Sequence, residues 1–316
     1  MGIRWTRVAA PLLAGAVLLC GFAGVASAKP GSWRSGSSGA RATNAPGADV
    51  PGVVVPAADP MGPRHVVMMG DSLAAGLVDA MAAVTAGAVL GETRVGCGWV
   101  GAMVVHTPNR AFSQACVDSN EQYLDAVVER AVGADAVVLL SSWESNDHIV
   151  DGDVLVFGTP DSDAWFLDRL EMLRARLGTR LVLATVPLGG PAWDRVRDRF
   201  VYTQDATDQE VLDHLSELYR DFAAQHDTDV SVVDLGRIVC PERYPCPGRL
   251  DGVVLRPEDG AHLSPDGAAW LAPRFLTVLG ATLAAQDWLQ RPRGVSPVAQ
   301  RSPKPSSDVG SARPAP

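Results

Sequence analysis

Five short apolar runs, rich in β-branched residues, punctuate the middle of the chain: "HVVMM" from His65, "AVLGETRV" from Ala88, "DAVVLLSS" from Asp135, "RLVLATVP" from Arg180 and "DVSVVDL" from Asp229. Each has the length of a buried strand, although Gly91 and Glu92 weaken the second. Between them the apolar positions change to helical spacing. Helices are predicted over about Ser72–Thr85, Ser119–Val132, Ser162–Leu177 and Asp208–His226. In the second of these, Tyr123, Val127, Val128 and Ala131 form one stripe. A last helix starts at Ser264, a cap residue followed by proline in the favoured first position. Strand then helix, repeated, predicts a parallel sheet covered by helices on both faces. Ligands of such sheets bind beyond the carboxyl ends of the strands. The polar residues expected at that edge are Ser72, the segment Gly96–Gly98, the segment Trp143–Asp147, and Asp259 with His262.

The ends of the chain lack this periodicity. Arg4 and Arg7, a following apolar stretch and "ASA" ending at Ala28 have the order of a secretory leader, so residues 1–28 are expected to be removed. Leu19 before Cys20 is too bulky for a good lipidation site. Residues 29–62 are rich in Gly, Ser, Ala and Pro, and 291–316 in Pro, Ser and Arg; both are expected to be disordered. That leaves 63–290 as one domain, large enough for a single core. A net charge of −9 argues against nucleic acid as a partner. The expectation is a secreted monomer with no stable membrane insertion once the leader is cleaved.

Export changes the meaning of the cysteines. Without Cys20 there remain Cys97, Cys116, Cys240 and Cys246, an even number for an oxidising compartment. Short loops favour Cys97 with Cys116 and Cys240 with Cys246. Zinc is the poorer reading, because neither CxxC nor paired-histidine spacing is present.

Acyl transfer needs a nucleophile, a base, a group that orients the base, and donors for the oxyanion. Read alone, Ser72 is a helix cap; as a nucleophile it would also gain from the helix N-terminus. His262, three residues after Asp259, is the natural base, with the carboxylate fixing its tautomer. His65, His106, His214 and His226 lack a comparable setting, while His148 follows the polar cluster of the third strand. Asn146 is the candidate side-chain donor for the oxyanion, or else closes an Asx turn. Either Gly96 or Gly98 would supply a backbone N–H where a side chain would block substrate. No phosphate loop is present, this chemistry needs no cofactor, and neither cofactor nor metal is expected.

Taken together these residues resemble the SGNH hydrolase superfamily, also called the GDSL esterase/lipase family. The first motif is "GDSL" at Gly70–Leu73, the third is "ESND" at Glu144–Asp147, and the last is "DGAH" at Asp259–His262; the second-motif glycine falls within "RVGCGWVG". The resemblance spans the folded region. It implies a three-layer α/β/α flavodoxin-like sandwich with a five-stranded parallel sheet, a Ser72–His262–Asp259 triad, and an oxyanion site from Ser72, Gly98 or Gly96, and Asn146. Glu144 replaces the glycine usual in the third motif, and Trp143 precedes it. "GCG", "WES" and "LRPEDGAHLSPDGA" are more similar to SGNH domains that bacteria attach to membrane acyltransferases modifying envelope glycans. The activity implied is a secreted serine esterase acting on short acyl esters of small molecules or glycans. An O-acyltransferase and a non-catalytic glycan-binding protein are the alternatives. Trp143, Trp165 and Trp193 are candidates for a binding cleft or for the core, and residues 187–206 for a lid. Asp71 has no assigned role.

Overall fold

The computed structural model describes residues 64–105, 109–194, 199–201, 206–242 and 244–290. The leader, the linker and the C-terminal tail expected from the sequence lie outside these residues.

The five apolar runs form the strands of one parallel sheet: β1 (Val66–Gly70), β2 (Val89–Thr93), β3 (Ala136–Leu140), β4 (Arg180–Ala184) and β5 (Val230–Val233). Their spatial order is β5-β4-β3-β1-β2, and every contact between neighbours is parallel. Every residue of β1 and β3 is buried, which is why both read as unbroken apolar runs. The weak pattern of β2 reflects its place at the sheet edge. There Glu92 turns outward to Arg130 at 2.9 Å, and Gly91 makes room for the Val78 side chain.

The helices are α1 (Ser72–Val84), α2 (Arg110–Asp118), α3 (Asn120–Ala131), α4 (Pro160–Leu177), α5 (Ala206–Gln225), α6 (Leu235–Val239) and α7 (Pro265–Gln290). Helices α1 and α7 pack together on one face of the sheet, and α3, α4 and α5 on the other. Helix α7 is long and apolar enough to cross a membrane by length and composition. Here Leu271, Phe275, Leu276, Leu279 and Leu283 are buried in the core, which accounts for that composition. Ser264 caps α7 by accepting from Gly267 N–H at 2.9 Å. The architecture is the three-layer α/β/α sandwich expected.

Some elements escaped the periodicity. Helix α2 is capped by Asn109, and short antiparallel strands pair Met103–Val104, His148–Val150 and Asp153–Leu155. Further two-stranded pairs join Ala192–Asp194 with Arg199–Val201, and Arg249–Leu250 with Val253–Val254. Strands of two or three residues are too short to display an alternation. The disulfides Cys97–Cys116 and Cys240–Cys246 both form, with Cα atoms 5.6 Å and 4.8 Å apart. The first fastens the loop after β2 to α2.

The junction of β1 and α1 is built from two residues with no freedom to vary. Gly70 has φ of +142°, and a Cβ there would lie 1.8 Å from the Leu140 carbonyl oxygen of the neighbouring strand. Its N–H donates to the Tyr123 hydroxyl at 3.0 Å. Asp71 is completely buried. One carboxylate oxygen caps α1 by accepting from Leu73 N–H at 2.8 Å. The other accepts from Ser142 N–H at 2.6 Å and from the Ser142 hydroxyl at 2.7 Å. Asp71 therefore caps the helix and ties it to the loop after β3.

Gly70→Ala is expected to lower stability by about 3 kcal/mol or more, because the clash is with backbone and cannot relax through a rotamer. Asp71→Ala should cost about 2–4 kcal/mol by leaving buried donors without an acceptor. Urea unfolding midpoints of the two variants check both values.

Candidate active site

Ser72 is the first residue of α1 and stands at the carboxyl end of β1. Asp259 and His262 come from the segment between β5 and α7, near α7. His262 Nε2 lies 2.8 Å from Ser72 Oγ, and its Nδ1 lies 2.6 Å from Asp259 Oδ2. The other oxygen of Asp259 accepts from the N–H groups of Ala261 and His262, each at 2.9 Å. The carboxylate thus shapes the turn that carries the histidine as well as holding its ring. Partial burial pushes the Asp259 carboxyl up, but the His262 ring and the two N–H groups outweigh this and hold it below its ordinary value. The side chains of His262 and Asp259 are 53% and 49% exposed, so solvent and a bulky ligand can both reach them. A hydroxyl, imidazole and carboxylate in this order can move a proton from the serine as it attacks a carbonyl.

A cleft of about 640 Å³ opens beside this chain. Ser72, Gly96, Trp143, Asn146, Pro187 and His262 are on its walls. Of the two candidate glycines, Gly96 faces the cleft, with φ of +76°. Gly98 instead packs against Glu144 and Trp143: a Cβ there would lie 2.8 Å from Glu144 Oε1 and 3.0 Å from Trp143 Cβ. Asn146 is on the wall, with its Nδ2 donating to the Trp143 carbonyl at 2.9 Å. An amide NH₂ has two hydrogens, so one remains for a ligand.

Trp143 lines the cleft and is half-buried. Trp165 does not; its ring lies 5.3 Å from that of His148. His148 is itself buried away from the cleft, and burial pulls its imidazole down to about 4. The side chain of Trp193 and the whole of His106 lie outside the described residues. His214 and His226, which lack a carboxylate in their local sequence setting, find distant ones, Asp163 at 2.9 Å and Glu171 at 3.2 Å. Those pairs sit between helices, separate from the cleft.

The start of the 187–206 connection, the lid candidate, is a fastened wall. Arg256, buried, donates from Nη1 to the Leu188 carbonyl, and Gly190 N–H donates to the Gly260 carbonyl at 2.6 Å. Gly260 must be glycine, since a Cβ would meet the Gly190 carbonyl oxygen at 2.0 Å. Burial pulls the Arg256 guanidinium down to about 10, with the Asp259 charge acting in the opposite direction. The Cys240–Cys246 disulfide packs on Leu188. Residues 195–198 and 202–205 of the connection are outside the described residues.

Two acidic residues at the site were unassigned or unexplained by the sequence. Asp71 is one. The other is Glu144, which is 1% exposed and accepts from Trp99 N–H at 3.0 Å through Oε1. Burial pushes its carboxyl up to about 7, the Ser141 hydroxyl opposes this, and the Asp71 charge adds to it. The Ser141 hydroxyl is directed at Asp71 Oδ2, 3.5 Å away, and Glu144 Oε2 has no hydrogen-bond partner among the described residues. A departure from the usual motif was the only signal in the sequence. Among the described residues, no group of three or more His, Cys, Asp and Glu side chains could hold a metal.

A family model described as "SGNH domain (fused to AT3 domains)" matches residues 42–277. The structure is similar to the periplasmic domain of the lipopolysaccharide acetyltransferase of Salmonella ser. Paratyphi A, with 13% identity over 70% of this chain and 84% of that one, at a TM-score of 0.47. It is also similar to a putative acylhydrolase of Bacteroides fragilis, with 14% identity over 71% and 88% and a TM-score of 0.40. A third is the C-terminal catalytic domain of peptidoglycan O-acetyltransferase A of Streptococcus pneumoniae, with 11% identity over 71% and 94% and a TM-score of 0.37. No curated protein matches the sequence. With most of its folded region matched by that family model, this chain belongs to the SGNH domain family of the kind fused to AT3 domains.

Proposed function

We propose that this protein is an exported serine esterase that removes short acyl groups from ester-bearing glycans or small molecules of the cell envelope. The observation that supports this most directly is the Asp259–His262–Ser72 chain, at 2.6 Å and 2.8 Å, on the wall of an open cleft. Ser72 Oγ attacks the ester carbonyl while His262 Nε2 takes the hydroxyl proton. The tetrahedral intermediate collapses as His262 returns that proton to the leaving alcohol oxygen, and the acyl group stays on Ser72. Water then attacks the acyl-enzyme, with His262 again taking a proton, and the acid leaves as Ser72 regains its hydrogen. Ser72 N–H, Gly96 N–H and the free Asn146 Nδ2 hydrogen hold the oxyanion. Gly96 takes precedence over Gly98 because it is the glycine on the cleft. Export fits the leader-like N-terminus and the two disulfides.

A second reading keeps the acyl-enzyme and gives it to a sugar hydroxyl in place of water. The family description, which couples such domains to AT3 domains, favours it, and so does the exposure of His262 to a large acceptor.

Ser72→Ala is expected to lower kcat for short acyl esters by roughly 10⁴-fold and to abolish fluorophosphonate labelling, with an unchanged melting temperature. Retained hydrolysis would exclude Ser72 as the nucleophile. Asn146→Ala should lower kcat about 100-fold with little change in KM, as for any donor used only in the transition state. Product analysis with and without a glycan acceptor separates hydrolysis from transfer.

A further inference from the structure

The site contains a buried acid that the reaction above does not use. Glu144 lies on the one-turn 3₁₀ segment Trp143–Ser145, which follows β3, and it reaches across to the loop after β2. Its contact there is the Trp99 N–H, one residue beyond Gly98. Gly98 has no Cβ to obstruct this approach, and any Cβ there would meet the same carboxylate oxygen. Glu144 and Gly98 are thus a matched pair, the acid filling space that the glycine leaves. Two residues before Gly98, Gly96 faces the cleft beside Ser72. The carboxylate therefore sits behind the loop whose front edge meets the substrate.

Among the described residues, no cationic side chain is hydrogen-bonded or ion-paired to Glu144. Asp71 faces it from the β1–α1 junction, Tyr123 from α3 and Tyr219 from α5. Burial holds both phenols well above their ordinary values, so they stay neutral. The Tyr123 hydroxyl is engaged with Gly70 N–H and the Glu92 carbonyl. Arg94 lies over the ring of Tyr123 at 4.9 Å, with its guanidinium bonded to Asn120, Ser119 and the Cys116 carbonyl. A carboxylic acid that donates no charge suits such a place, whereas a carboxylate would put unbalanced negative charge behind the oxyanion loop.

We propose that Glu144 is a positioning residue for the ester chemistry: by accepting from Trp99 N–H it fixes the Gly96–Trp99 loop against the cleft. The inference rests on the esterase reading. When Glu144 ionises, its charge opposes the negative charge that develops on the ester oxygen in a region of low dielectric. Its carboxyl, pushed up by burial to about 7, makes that change fall within the physiological range. The sign for stability follows from the same shift. A carboxyl raised in the folded state contributes stability that is complete below its unfolded value of 4.5 and is lost as pH rises through about 7.

The test uses the full exported chain, wild type and the variants Glu144→Gln and Glu144→Ala, assayed on a p-nitrophenyl acetyl ester from about pH 5 to about pH 9. Wild-type kcat should fall several-fold on the alkaline side of about 7. Glu144→Gln keeps an acceptor for Trp99 N–H without a charge; it should lose that alkaline fall and leave KM unchanged. Glu144→Ala should lower kcat roughly 10-fold to 100-fold at every pH. An alkaline fall that persists in Glu144→Gln, or a wild-type kcat in Glu144→Ala, overturns the proposal. If Glu144→Ala does not fold, the Gln variant decides alone. Melting temperatures give an assay independent of catalysis. The advantage of Glu144→Gln over wild type should grow as pH rises from 4.5 through about 7, and a constant difference overturns the proposed titration. A wild-type protein that neither labels with fluorophosphonate nor hydrolyses the ester refutes the esterase reading instead, and the melting series then still decides whether Glu144 titrates as described.

Discussion

The carboxylate of Asp71 is the fixed point on which the cleft depends. It is buried, and backbone and hydroxyl donors from two separate segments converge on it. Such donors are stronger when the acceptor is charged, and the low dielectric raises the penalty for losing any of them. One bond sets the first turn of α1, and with it the place of Ser72. The others set the loop after β3, and with it Trp143, Glu144 and Asn146. The distance between the serine and the third-strand loop is therefore fixed by one fully buried side chain.

From there the constraint passes outward by a second buried acid. Glu144 links the loop after β3 to the loop after β2, as Asp71 links the loop after β1 to the loop after β3. The Cys97–Cys116 disulfide holds the same β2 loop from its outer side. His262 and Asp259 arrive by a different route, from a segment pinned to the 188–190 wall through Arg256 and Gly260. The buried half of the cleft is held by carboxylates and backbone donors. The exposed half carries His262, whose side chain is open to solvent and to a ligand. This division explains why Asp71 and Glu144 are inaccessible while Asp259 is about half exposed.

Most of the frame was legible in the sequence. The runs at Val66, Ala136 and Leu181 are apolar throughout because both faces of those strands are covered, and such a run can be recognised without knowing its neighbours. The edge strand at Val89 was fainter for the opposite reason. "GDSL", "ESND" and "DGAH" pointed to Ser72, Asn146, His262 and Asp259, which the fold brings together, and short separation pointed to both disulfides, which form. Helix α2 and the short antiparallel pairs were not legible, since a few residues cannot establish a period. Two histidines acquired carboxylate partners from α4, far away in the sequence, which no local motif could announce.

What the sequence determined by itself was therefore the identity of the parts: the parallel sheet, the serine at its edge, the distant aspartate and histidine, and the paired cysteines. These follow from patterns within a few residues, where burial period, turn chemistry and motif spacing act. What only the tertiary structure decided was how the parts are held. Asp71 became the tie between two loops, Gly96 and not Gly98 reached the cleft, and Glu144 became a buried acid behind Trp99. Each depends on which atoms meet across gaps of tens of residues, and on how much water is excluded where they meet. Those quantities are properties of the packed chain and have no local sequence signature.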